Sequence, residues 1–516
     1  MFDRHPLAVV LLVLTVFILG YQRLRNRVPR GTRLPPGPKG LPIVGNVFDM
    51  PKENAWLTYA NWSVTFGDIV YVEVFGSPLV ILNSVKATTE LFEKRSANYA
   101  DRPPMVMVNE LMGWEWNLGH MRYSDWWRRH RKMFHHFFQP RSLSNYHEVQ
   151  LEATSALLHQ LLDKPNDFYH HVLQHAAAAI LRVIYGYDVK TTHDFYVSLV
   201  NEAAKDLTHA VTGLFLVEFL PILKHIPAWF PGASFKRRAN LGVISAGKMR
   251  DMPFESLKRS IADGTAVSCF VSESLEALKD KENVPENEET VVKNCAGVAY
   301  LAGSDTTASV VASFMLAMAH YPDVQSRAQA ELKAVVGLSK LPNFTDRPML
   351  PYIDSILSET LRWNPAAPLA VPHRSVEDDV YEGMYIPAGS VIIGNSWAIL
   401  HDENAYPEPF AFKPERFLGD NEKQLPPDPA IVGAFGFGRR ICPGRHFAMD
   451  AAWIAIASIL TCFKISKAVD ENGNVIEPAI EYTDGLAIHP KPFKLQITPR
   501  SQEIVDVIRS ADESKK

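Results

Sequence analysis

The chain has 516 residues, 47 % of them hydrophobic, and its 53 Lys and Arg nearly balance its 57 Asp and Glu, for a net charge of −4. That ordinary globular balance does not point to nucleic acid. Four scattered cysteines with no Cys-x-x-Cys pair argue against a disulfide framework and a structural zinc site, and so for a reducing compartment around the main domain. No composition break divides the chain, which reads as one large, mainly helical domain with an N-terminal appendage.

Pro6 to Gln22 is uncharged and mostly apolar, near the lower limit of about 17 residues for a spanning helix. No small-residue cleavage site follows it, so residues 6–22 are expected to be a retained transmembrane anchor. Arg23, Arg25, Arg27, Arg30 and Arg33 come next and place the remainder in the cytoplasm. Residues 23–38 form a basic, proline-rich linker ending in the stiff run Leu34-Pro-Pro-Gly-Pro-Lys39.

Within the expected catalytic domain, 39–509, Asp68 to Leu82 alternates like a β-hairpin with Gly76-Ser77-Pro78 as its turn. Ser84 caps a helix running to Arg95. Asp101 to Tyr123 has no clean period and reads as a loop. The following helix carries Trp127 and Arg131 on one face, at i and i+4. Arg128, Arg129 and Lys132 point elsewhere, toward either an acidic protein partner or plain solvent. Leu151 to Tyr185 is helical in period, and Leu199 to Leu223 continues so until Pro221, Pro227 and Pro231 interrupt it. The apolar run Leu214 to Leu220, with Trp229 and Phe230 beyond, suits a membrane contact or a buried core equally.

Thr290 to Tyr321 is a long apolar helix broken at its middle by Ala302-Gly303-Ser304-Asp305-Thr306-Thr307. Leu350 to Trp363 is a further helix, with Glu359 and Arg362 at i and i+3. Val380 to Ile393 is a short β region. Phe435 to Gly444 is a glycine-punctuated loop with Cys442 near its end, followed by a long apolar helix from Arg445 to Phe463. Ser510 to Lys516 is expected to be a disordered tail.

The residue types suggest chemistry. Cys269, Cys295 and Cys462 read as core thiols. Cys442 lies where free N–H groups and a helix N-terminus favour thiolate, a good axial ligand for haem iron. Trp127 N–H and the Arg131 guanidinium suit a haem propionate. Gly303 lets another group approach the helix backbone closely. Thr306, by bonding an earlier carbonyl or a water, can open the helix ladder, and with Asp305 it can relay protons.

Phe435 to Gly444 fits F-x-x-G-x-R-x-C-x-G and resembles the haem-binding signature of the cytochrome P450 family. Trp127 with Arg131, Ala302 to Thr307, Glu359 with Arg362, and Pro414-Glu415-Arg416-Phe417 match that family's other motifs in its order, so the resemblance covers Leu34 to about Pro499. It implies a mainly α fold with small β-sheets and a bound haem b, its iron held by Cys442. Trp127, Arg131, His373 and Arg440 would contact the haem, with Arg374 a rival for His373. Asp305 and Thr306 would be catalytic. Glu359, Arg362 and Arg416 would form a buried charged triad behind the cysteine loop. The segments 101–123, 214–220, 367–371 and 483–487 would border the substrate pocket.

No flavin, nicotinamide or iron–sulfur motif is present. The resemblance therefore implies electrons from NADPH through a separate membrane-bound reductase, NADPH-cytochrome P450 reductase, with cytochrome b5 a second candidate donor. It also implies the endoplasmic reticulum membrane and monooxygenation of a lipophilic small molecule. Fungal members acting in secondary metabolism or xenobiotic oxidation are most similar. A haem-thiolate isomerase, a haem sensor and a cofactor-free helical scaffold are the rival readings. The first often lacks the acid–threonine pair, the second has no use for it, and the third would show no 450 nm band when reduced and exposed to carbon monoxide.

Overall fold

In the computed structural model, which describes residues 28–189, 194–213, 215–280, 285–419 and 425–513, helices form the body and three small sheets flank it. The expected anchor at 6–22 and the first residues of the basic linker lie outside the described residues. The longer helices are α1 (Ala55–Phe66), α2 (Asp125–Phe138), α3 (His147–Asp163), α4 (Phe168–Tyr185), α5 (Phe195–Thr212), α6 (Ser234–Ala262), α7 (Phe270–Lys279), α8 (Glu288–His320), α9 (Pro322–Val335), α10 (Pro351–Trp363), α11 (Arg445–Cys462) and α12 (Gln502–Glu513).

Helix α8 is the axis of the molecule. Its apolar residues are spread round the whole circumference, and 78 % of its most apolar window is buried, which makes it a core helix rather than a membrane span. Phe314 of α8, Ile356 of α10, and Trp453 and Leu460 of α11 meet in the main core. A second core, around Trp114, Ile184 and Tyr300, packs the α5–α6 side. Gly303 is one reason α4 sits so close: a Cβ there would lie 2.9 Å from the Ile180 side chain. The space that glycine frees is therefore filled by Ile180 of α4.

The helical run expected over 151–185 is two helices. Lys164 and Pro165 divide α3 from α4, because proline lacks the N–H and disfavours helical backbone before it. The next run is likewise interrupted: α5 ends at Thr212, and Leu216–Phe219 is a separate single turn. Leu216 is 53 % and Trp229 78 % exposed, so the core reading of this stretch fails for those residues, while Val217 is buried. The expected loop 101–123 contains a π-helical turn, Val106–Leu111. The expected disordered tail is also corrected at its start, since α12 continues through Glu513.

Strands β1 (Ile69–Val74) and β2 (Ser77–Leu82) form the antiparallel hairpin, but Ser77 and Pro78 already belong to β2. The turn is Phe75-Gly76, both at positive φ. After β3 (His373–Arg374), β4 (Asp379–Tyr381) and β5 (Met384–Ile386), strand β6 (Val391–Gly394) runs parallel to β2 and antiparallel to β3, giving the order β1-β2-β6-β3. β4 pairs with β5, and β7 (Phe463–Lys467) with β8 (Leu495–Pro499). The proline-rich segment is pinned to this framework: Tyr71 N donates to Pro36 O at 2.9 Å and Tyr385 N to Arg33 O at 2.7 Å.

Candidate active site

Loop 434–444 is shaped by two glycines with positive φ, Gly436 and Gly438. At Gly438 a Cβ would lie 2.0 Å from Phe92 O, so no other residue fits without moving the backbone. Cys442 N donates to Phe435 O at 2.8 Å, which closes the loop on itself. Helix α11 begins three residues on, at Arg445. Burial pushes the Cys442 thiol up, against the Gly444 N–H and the charges of Arg131 and Arg445, which pull it down. The helix terminus expected to favour thiolate is present, yet burial outweighs it. A sulfur anion at this spot needs a cation bound to it.

The loop forms one wall of a cavity of about 330 Å³, and α8 forms another. Cys442, Trp127, Arg131, His373, Arg440, Asp305 and Thr306 all line it. Arg374 is not among the lining residues, and its side chain lies beside Gly389. Of the two rivals, then, His373 is the one at the cavity.

The polar wall is held by carbonyls. Arg131 Nη1 donates to Ile441 O at 2.6 Å, next to the cysteine. Arg440 Nε donates to Ala100 O at 2.7 Å and Nη2 to Met121 O at 2.9 Å, while its guanidinium stacks 4.3 Å from the Trp127 ring centre. His373 Nδ1 bonds Tyr99 O at 2.8 Å, and its ring stacks on Phe92. Two further residues, Arg102 and His120, belong here. Arg102 donates to Val371 O at 2.6 Å and Pro372 O at 2.9 Å. Burial, with Arg102 nearby, pushes His120 down to about 3, and burial drives His373 well below its ordinary range. Both histidines are thus neutral near pH 7. Nothing in the sequence marks Arg102 beyond its neighbour Asp101, nor His120 within an irregular stretch.

This donor set fits an iron porphyrin. Three guanidiniums, Arg102, Arg131 and Arg440, line the cavity, and Asp305 is the one carboxylate among its described lining residues. That wall wants carboxylates from a ligand. Among the described residues no group of three or more His, Cys, Asp or Glu can hold a metal ion, so a metal on Cys442 must bring its other ligands with it. His120 Nδ1 is buried without a partner. The remaining walls are apolar, including Ile180, Leu207, Val298, Leu301, Ala370 and Leu486.

On α8, Thr306 Oγ1 donates to Ala302 O at 2.9 Å, the back-bond to an earlier carbonyl expected for it. Asp305 is already engaged: its Oδ1 lies 2.8 Å from His489 Nε2. His489 escaped the sequence reading. Its signal is a lone titratable side chain beside Ala487 and Ile488, but spacing alone does not bring it to α8.

Behind the cysteine loop, Glu359 accepts from Arg362 Nε at 2.7 Å and Arg416 Nε at 3.2 Å, with Glu359 and Arg362 fully buried. The expected triad is present. On the outer face of α2, Arg128 pairs with Asp125 and Arg129 with Glu288, leaving Lys132 exposed.

The chain is similar to known proteins along nearly its whole length. The family model described as Cytochrome P450 matches residues 35–497. A cytochrome P450 monooxygenase of Armillaria gallica is 41 % identical, covering 99 % of this chain and 100 % of its own length. Cytochrome P450 monooxygenase 208 of Postia placenta is 41 % identical over 98 % of each chain. Tryptamine 4-monooxygenase of Psilocybe cyanescens is 40 % identical over 96 % of this chain and 99 % of its own.

Proposed function

The chain belongs to the cytochrome P450 family and is a P450 monooxygenase, and from that premise we propose how its own residues serve the reaction and what it acts on. The family implies haem iron. When bound, the haem supplies the oxygen activation and electron transfer that no side chain here can provide.

Cys442 would hold the iron through its sulfur. Arg131, Arg440, Trp127 and His373 would bind and orient the propionates, with Arg102 beside them. His373 enters this set as a neutral ring whose Nδ1 is committed to Tyr99 O, so Nε2 is the nitrogen free to act. Thr306 and Asp305 hold and deliver protons within the cavity. The apolar walls exclude bulk water and select a lipophilic small molecule. The carrying observation is that one cavity is lined both by Cys442 and by the acid–hydroxyl pair.

Electrons come from NADPH through a separate reductase, and cytochrome b5 is a second candidate donor. Lys132 with its neighbours on α2 is the docking face we favour, in view of its exposure and sign. The protein works at the endoplasmic reticulum membrane. Support for a membrane contact comes from the exposed apolar side chains of Leu216, Leu220, Ile222, Trp229 and Phe230. The role we favour is secondary metabolism or xenobiotic oxidation, which the sequence resemblance implies.

The test is purified full-length protein with NADPH, reductase and isotopically labelled O₂ against a panel of lipophilic compounds. Label in the product together with NADPH-dependent oxygen uptake supports the reading. Turnover that needs no electrons would point instead to an isomerase or dehydratase.

A further inference from the structure

Three polar residues of α8, Asp305, Ser309 and Ser313, are spaced by four and therefore share one helical face. All three bond to the same C-terminal hairpin. Asp305 Oδ1 meets His489 Nε2 at 2.8 Å, Ser309 Oγ donates to Ile488 O at 2.5 Å, and Tyr482 OH meets Ser313 Oγ at 3.1 Å. The hairpin is closed by its own bonds, Thr483 N to His489 O at 2.8 Å and His489 N to Thr483 Oγ1 at 3.0 Å. Its tip carries Leu486 and Ala487 into the cavity wall, whereas His489 lies outside the lining, behind Asp305.

An aspartate on a helix has free rotation about its side-chain bonds unless something holds it. Here the holder is the His489 ring, only 13 % exposed. Its other nitrogen, Nδ1, is buried and without a partner, so the bond to Asp305 is the ring's one polar commitment. Tyr169 of α4 packs edge-on to the same ring, and its hydroxyl is pushed up to about 12 by burial and then by Asp305, so it stays neutral. Among the described residues neither member of the pair forms an ion pair with any other charged group. The arrangement is therefore a specific clamp on one carboxylate.

We propose that His489 is a positioning residue for Asp305, fixing the carboxylate's orientation on α8 and linking it to the hairpin whose tip meets the substrate. A substrate that presses on Leu486 and Ala487 moves the residue that aims the acid. This rests on the reading of Asp305 as a proton donor, and the test separates the two.

The haem-loaded protein with reductase is compared as wild type, Asp305→Asn, His489→Ala, His489→Gln, Asp305→Asn/His489→Ala and Ser313→Ala. Two quantities are read: the ratio of peroxide to product, and the urea midpoint of unfolding, which needs no turnover. His489→Ala raises the ratio at least twofold. His489→Gln, whose amide nitrogen reaches the place of Nε2, returns it toward wild type. Ser313→Ala loosens the same hairpin and lowers the midpoint without changing the ratio. The double variant has a midpoint no lower than the worse single variant. Additive midpoints overturn the proposal. So does a wild-type ratio in His489→Ala when Asp305→Asn has raised it. If Asp305→Asn leaves the ratio unchanged, the proton-donor reading falls, and the midpoint cycle alone decides whether His489 positions Asp305.

Discussion

Replacing Glu359 with glutamine removes one negative charge and almost no volume. In the native fold this carboxylate accepts from Arg362 Nε at 2.7 Å and Nη2 at 2.9 Å, from Lys413 N at 2.7 Å and from Arg416 Nε at 3.2 Å. Arg362 is fully buried and the Arg416 side chain is 9 % exposed, so solvent cannot take over the lost partner. Breaking a buried pair typically costs about 3–5 kcal/mol, mostly from the charge left unpaired. The amide keeps one acceptor and the arginines keep the carbonyls of Leu400, Ala411 and Pro407, so the lower end, about 3 kcal/mol, is expected. The loss falls on the segment 400–418 that precedes the cysteine loop, so haem retention falls with it. Urea unfolding followed by fluorescence gives the energy, and haem content after gel filtration gives the second readout. A cost below about 1 kcal/mol with full haem retention would refute the argument that this charge organises the loop.

Gly438→Ala is expected to cost well over about 2 kcal/mol and to lower haem content, because the new Cβ meets Phe92 O at 2.0 Å in a left-handed backbone; normal expression with full haem content contradicts it. Thr306→Ala removes the hydroxyl bonded to Ala302 O and is expected to raise peroxide release relative to product; unchanged coupling counts against the relay. His401, in contact with Trp397, is pushed down to about 3 by burial and then by Arg362. The folded state thus binds fewer protons than the unfolded one, whose histidine titrates near 6.5, and stability falls as pH drops below that value. Between pH 7 and pH 5 His401→Gln should therefore lose about 2 kcal/mol less than wild type, read by urea unfolding at both pH values; equal losses contradict a buried neutral ring.

Much of the site was legible because each motif fulfils a local demand. The cysteine loop needs glycines for its backbone, Glu359 and Arg362 need i, i+3 spacing, and Ser124 caps α2 by accepting from Trp127 N. Such requirements are written at fixed spacing and survive without a structure. The elements that went astray did so for equally local reasons: Pro165 divides a continuous helical period, and Ser77-Pro78 carries turn chemistry yet opens β2, at a point where only β1 pairs with it because β6 joins from Leu79 onward. Arg102, His120 and His489 were invisible for a different reason. Arg102 reaches carbonyls 269 and 270 residues away, and His489 reaches Asp305 across 184 residues. Period and spacing carry no information about such closures.

The same distinction explains where the thiolate argument bends. A helix N-terminus after Pro443 is a local feature, and the sequence implies it correctly. Burial of Cys442 is a product of the whole fold, and it works against the charged sulfur. The three guanidiniums on the neighbouring wall raise the opposite problem, positive charge without enough anion. Asp101, already bonded to Arg122, offsets the charge of Arg102 and Arg440 only in part, and Arg131 and Arg445 do the same for the sulfur; a ligand that brings a metal cation to the sulfur and carboxylates to the arginines relieves both imbalances at once. It follows that a porphyrin whose propionates are esterified should bind to the haem-free protein far more weakly than haem itself, by at least tenfold in absorbance titration. Equal affinity would mean that the arginine wall serves only to hold its own carbonyls.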